Sequence, residues 1–140
     1  MTSPAAVSAG TPGTLGNRQG GRRPAGVVVR ALIALTKHNE KTPELVELHV
    51  VLSAEATSPE HPVHQYFVDR YASVFEWIRQ AFAQAEVLGQ LRPGVDHASA
   101  ARSLIALMDG LQVQWLLHRD SVDMAGDVQR YVQSLLTVEL

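Results

Sequence analysis

An all-α fold, an antiparallel bundle of about five or six helices, is what this sequence predicts. Three observations predict it. Apolar residues recur at three- and four-residue intervals over most of the chain after residue 25. Helix start signals stand before those runs, such as Thr42-Pro43, Asp96 and Asp123. No segment sustains the period-two alternation of a half-buried strand.

The helices follow in order. "GVVVRALIALTKHN" predicts the first, about 25–39. Thr42 as cap, with Pro43 at the first helical position, opens the second, which runs to about Ala56. Leu45, Leu48, Leu52 and Ala56 form one stripe there, with Val50, Val51 and Ala54 opposite. A helix apolar on both sides is expected between neighbours. Ser58 and Pro59 repeat the start signal and predict a long third helix, 60–88, ending at Gly89. Pro62 offers a place to split it. Phe67, Tyr71, Val74, Ile78, Ala81, Phe82 and Ala85 hold one stripe along it. "QLRPGVD" reads as a loop, Asp96 caps a fourth helix over 97–118, and Asp123 caps a last one over 124–138. Val128, Tyr131, Val132 and Leu135 of that last helix are expected inward.

Ahead of the bundle, residues 1–25 form a Gly/Pro-rich tail with no period, and 26–140 form a single helical domain. The chain's 46% hydrophobic residues suffice for a core. Charge is uneven. Arg18, Arg22 and Arg23 stand in a stretch without acids, while the remainder carries nine Lys/Arg against fourteen Asp/Glu, a net −5. An acidic folded body is a poor grip for phosphates. The absence of cysteine excludes disulfides and thiolate metal sites, and a cytoplasmic setting is expected. Nothing reads as a membrane span or a secretory signal.

"ALMDGLQVQWLLHR" places an Asp-Gly pair inside an apolar helix. Wound at 3.6 residues per turn, Leu104, Met108, Leu111 and Trp115 share one face. Ala106, Gly110, Val113 and Leu117 share the other, with Asp109 at its edge near Arg102. The smaller face, with Ala106 and Gly110 at i, i+4, would let another helix come close. A second copy of the chain is the simplest supplier, a packing neighbour within the chain the other.

Catalytic signatures are missing: no G-x-S-x-G, H-E-x-x-H, P-loop or G-x-G-x-x-G occurs in a fitting context. No enzyme and no cofactor are expected. Glu55, Glu60, His61 and His64 in "EATSPEHPVH" are the one set with metal-ligand chemistry. A solvated helix start explains them more simply, so no metal is assigned. His49 shares an apolar stripe, and Tyr71 and Trp115 are inward amphipathic aromatics. Each suits a core or the wall of a pocket.

Three stretches together resemble the C-terminal domain of TetR-family transcriptional regulators: "HPVHQYFVDRYASVFEWIRQAFAQAEVLGQLRPGVD", "AARSLIALMDGLQVQWLLHR" and "VDMAGDVQRYVQSLL". Their order carries the likeness. A long helix ends in G-x-L-R-x-x-V-D, an A-x-x-L-x-A-L-x-D-G-L helix follows, and a short acidic loop leads to a closing amphipathic helix. "LVELHVVLSAEATSPEHPVHQYF" is similar to the preceding helices in one branch of that family, so the likeness covers roughly 25–138.

The resemblance implies a ligand-binding and dimerisation domain. The last two helices would pair with those of a second subunit, through Arg102, Ala106, Asp109, Gly110, Val113, Leu117, Val128, Tyr131 and Leu135. A small hydrophobic or amphipathic effector would lie among His49, Leu52, Phe67, Tyr71, Phe75, Met108, Leu111 and Trp115. The family's N-terminal helix-turn-helix is not found in residues 1–26, whose Gly and Pro break helices. The expected partners are therefore a second copy and an effector, with DNA reached only through that reader. A truncated or misassigned start and a genuinely headless protein both fit. Two further functions stay open: a freestanding helical module forming heterodimers, and a small helical metal-binding protein.

Overall fold

The computed structural model describes residues 25–140, and they form five helices: α1 (Ala25–Asn39), α2 (Pro43–Glu55), α3 (His64–Val87), α4 (His97–Leu117) and α5 (Met124–Leu135). The expected tail lies outside the described residues, apart from Ala25, which opens α1. α4 is central, packing against α3, α5 and α2, while α1 closes the bundle over α3 and α5. Ile78 of α3, Leu104 of α4 and Met124, Val128 and Val132 of α5 are fully buried where these helices meet. Each such side chain stabilises the bundle by about 1.5–3 kcal/mol relative to exposure. Thr36, the buried polar residue of α1, is satisfied because its hydroxyl donates to the Leu32 carbonyl at 2.9 Å.

Caps fix several helix ends. Asp96 Oδ1 accepts from the Ser99 amide at 2.7 Å, and Asp123 Oδ1 accepts from the Gly126 amide at 2.9 Å. α3 ends in a Schellman motif. Gly89 takes φ +69°, the Gln90 amide donates to the Ala85 carbonyl at 2.8 Å, and the Gly89 amide donates to Glu86 at 2.9 Å.

Four expectations need correction. Thr42 holds the cap position of α2, but its hydroxyl turns back to the Asn39 carbonyl at 3.4 Å instead of capping. α3 begins at His64 rather than at residue 60, because residues 56–63 fold as turns around Pro59 and Pro62. There the His64 amide donates to the His61 carbonyl at 3.0 Å, and Pro62 has no amide with which to extend a helix. α5 stops at Leu135 because Leu136 leaves for an extended backbone and bridges to Leu91. The Arg92 amide donates to Leu135 and the Thr137 amide to Gln90, each at 2.9 Å. Finally, α2 is not covered on both sides: Val46 is its buried residue, while Leu45, Leu48 and Val51 are exposed.

Candidate functional site

α1, α2, α3 and α4 line a partly open cavity of about 290 Å³, near the lower end of small-molecule pockets. α1 contributes Leu32, Leu35 and Asn39 at a spacing that puts them on one helix side. α2 adds Leu45, Val46 and His49, and α3 adds Arg70, Tyr71, Val74 and Trp77. α4 closes the floor with Ile105, Met108, Asp109 and Gln112.

The polar centre of this cavity is a hydrogen bond between helices. Tyr71 Oη donates to Asp109 Oδ2 at 2.7 Å. It answers why an aspartate interrupts an apolar helix: Asp109 ties α4 to α3 across the cavity wall. Burial pushes the Tyr71 phenol up to about 12, and the hydrogen bond to Asp109 and its negative charge push the same way. Tyr71 thus remains a donor at physiological pH. Burial also lowers the pKa of His49, against a smaller opposing pull from Asp109. Its ring lies 5.7 Å from that of Phe67, which in turn lies 6.4 Å from the ring of Tyr71. Gln112 Oε1 is buried and meets no hydrogen-bond donor.

Of the residues expected to bind a ligand, His49, Tyr71 and Met108 line this cavity. Phe67 borders a shallower groove on the far side of Tyr71 and Asp109, together with Val68 and Val113. The other four lie elsewhere. Leu52 is half-buried outside the lining, and Phe75 sits beneath the Arg102 guanidinium, 5.1 Å from its ring centre. Leu111 and Trp115 are core residues, with Arg119 5.3 Å above the Trp115 ring. They follow the inward stripe of α4 past the cavity into the junction with α5.

Ala106, Gly110, Val113 and Leu117 form an outward row on α4, in which Val113 is 43% and Leu117 70% exposed. A Cβ added at Gly110 would meet nothing within 4 Å. Arg102 is exposed over Phe75. Asp109, expected at the subunit contact, accepts from Tyr71 and lines both the cavity and the groove that contains Val113. Val128 is fully buried in the chain's own core and leaves no surface for a second subunit to touch. Tyr131 and Leu135 are half-buried against the same core.

The four possible metal ligands do not converge. His61 Nε2 lies 3.6 Å from Glu55, His64 Nδ1 lies 2.7 Å from the Ala56 carbonyl, and Glu60 accepts from the Ser58 hydroxyl at 2.9 Å. Among the described residues no group of three or more His, Asp or Glu side chains could hold a metal ion, and no helix is long and apolar enough to cross a membrane.

Arg70, Trp77, Asn39 and Gln112 escaped the reading from sequence. Asp109 and Gln112, polar at i, i+3 within an apolar helix, were the available signal. Polar residues so placed mark a wall that must face something other than a dry core.

Comparison with known proteins agrees with the fold. Residues 24–137 match the family model described as BetI-type transcriptional repressor, C-terminal. The HTH-type transcriptional regulator TtgR of Pseudomonas putida is 44% identical over 57 residues, 41% of this chain and 27% of that protein. The probable HTH-type transcriptional regulator ArpR of the same species matches with the same identity and coverage. The match thus spans about a quarter of the length of these curated relatives. No solved structure matches at a significant level. A match over nearly all of the described residues, on a five-helix bundle, places this chain in the family of BetI-type C-terminal domains of TetR-family transcriptional regulators.

Proposed function

We propose that this chain is the ligand-sensing and dimerising part of a TetR-type regulator, a binding protein rather than an enzyme, acting in the cytoplasm. The observation that carries the reading is the cavity crossed by the Tyr71–Asp109 hydrogen bond. A structural core alone gives no reason to leave about 290 Å³ open beside a half-buried carboxylate, a phenol and an imidazole. Tyr71, Asp109 and Gln112 also border the groove that contains Val113, a member of the outward row of α4. One hydrogen-bonded wall therefore separates the sensing cavity from the surface offered to a second copy. A ligand that binds one arrangement of α3 and α4 better than another would shift their populations. In an intact regulator that shift would change the spacing of two DNA readers.

The test is a titration of the protein with small aromatic compounds, followed by the fluorescence of Trp77 in the cavity wall. Saturable binding is expected, and Met108→Trp, which fills the cavity, should abolish it while the far-ultraviolet circular dichroism stays helical. Binding that is indifferent to Met108→Trp would refute the assignment of this cavity.

A further inference from the structure

The cavity and the groove beside it share one wall. Tyr71, Asp109 and Gln112 line both spaces, the cavity of about 290 Å³ and the groove of about 470 Å³. α2 is divided between them: Val46 and His49 line the cavity, Val50 and Ala54 the groove. α3 is divided in the same way. Val74 lies on the cavity side and Phe67 on the groove side, and Tyr71 stands one turn from each, between them.

Tyr71 supplies the thickness of that wall. Its ring reaches from α3 to α4, where Oη donates to Asp109 Oδ2 at 2.7 Å. The acceptor is a carboxylate, and such bonds are about twice as strong as those between neutral groups. The ring is therefore held at both ends, by the backbone of α3 and by a side chain of α4. The way into the cavity is marked by Leu35, Leu45 and Trp77, which line it and are exposed. A molecule that enters there meets, at Tyr71, a side chain that cannot swing aside without stranding the half-buried carboxylate of Asp109.

We infer that Tyr71 sets the size limit of the ligand: its ring stops apolar molecules that would otherwise run on from the cavity into the groove. This rests on the reading of the cavity as a ligand site and adds the residue that decides its reach. Straight-chain primary alcohols serve as a ruler, because each methylene taken from water into the cavity tightens binding about fourfold. Once the chain has reached Tyr71, further carbons stay in water at the mouth and add nothing.

The measurement is the tryptophan fluorescence of the full 140-residue protein, titrated with these alcohols from butanol to dodecanol. In the native protein affinity should climb about fourfold per carbon and then break. Tyr71→Ala removes the ring and should move the break to longer chains. Between an alcohol at the native break and one two carbons longer, an affinity ratio of about one should become about tenfold. Ala54→Trp fills the groove from an exposed position on α2. Alone it should leave the native series unchanged, and added to Tyr71→Ala it should return the break towards its native place. A native series without a break, or a break that Tyr71→Ala does not move, overturns the inference and leaves the cavity reading standing. A moved break that Ala54→Trp does not restore overturns it too, because the chain then fills only the space of the lost ring. No saturable binding of any alcohol overturns the inference and the cavity reading together. Should Tyr71→Ala fail to fold, Tyr71→Leu takes its place, since that side chain also stops short of Asp109.

Discussion

Tyr71 and Asp109 form a side-chain hydrogen bond that joins α3 to α4 across 38 positions in sequence. Tyr71→Phe removes the donor and leaves a half-buried carboxylate without its partner. The expected loss is about 1.5 kcal/mol, the lower part of the range for hydrogen bonds to a charged group because both residues keep some solvent contact. Thermal unfolding would read this as a drop of several degrees. Adding Asp109→Ala should recover part of the loss, since the stranded charge goes and alanine is the better helix former. His49 gives stability a pH dependence. Burial lowers its pKa in the folded chain below the 6.5 of an unfolded one. Above 6.5 both states are neutral and the stability is intact. As pH falls through 6.5, the unfolded chain takes up the proton first and stability declines, levelling off below the folded pKa. His49→Gln should flatten the fall in melting temperature below pH 6.5 relative to the native protein. An unaltered slope would mean that His49 is not desolvated.

Among the helices, ends were easier to read than surroundings. Gly89, Asp96 and Asp123 act through local geometry, which depends only on neighbours in sequence, and all three stand at the helix ends they were expected to mark. Gly89→Ala forces a Cβ onto φ +69° with open space around it, so the cost is conformational alone. A loss of about 1 kcal/mol in chemical denaturation is expected, without change in the slope. Thr42 shows where local reading fails: it is a good cap residue by type, but its hydroxyl found the Asn39 carbonyl instead. α2 shows a second limit. Its apolar residues lie all round the helix, and periodicity cannot say which of them the subunit covers. Val46 is covered, and Leu45 and Leu48 are not. The cavity was half legible for a similar reason. His49, Tyr71 and Met108 were recognisable as inward polar or aromatic residues. Leu111 and Trp115 obey the same pattern but lie further along α4, in the core, and only the three-dimensional path of α1 decides where the open space ends.

For the molecule as a whole, the two faces of α4 separate as the winding of the helix requires: Leu104, Leu111 and Trp115 inside, Ala106, Val113 and Leu117 outside. Gly110→Leu meets no obstacle within the subunit, since a Cβ there touches nothing within 4 Å. Its effect should therefore fall on assembly. Light scattering is expected to give two subunits for the native protein and one for the variant, with the monomer's helical content preserved. An unchanged mass would show that this face is not where copies meet.

The bridge between Leu91 and Leu136 has a mechanical outcome. It fastens the corner where α3 hands over to α4 to the exit of α5, through the Arg92–Leu135 and Thr137–Gln90 bonds. Any displacement of the corner between α3 and α4 pulls on the far tip of α5 through those two backbone bonds.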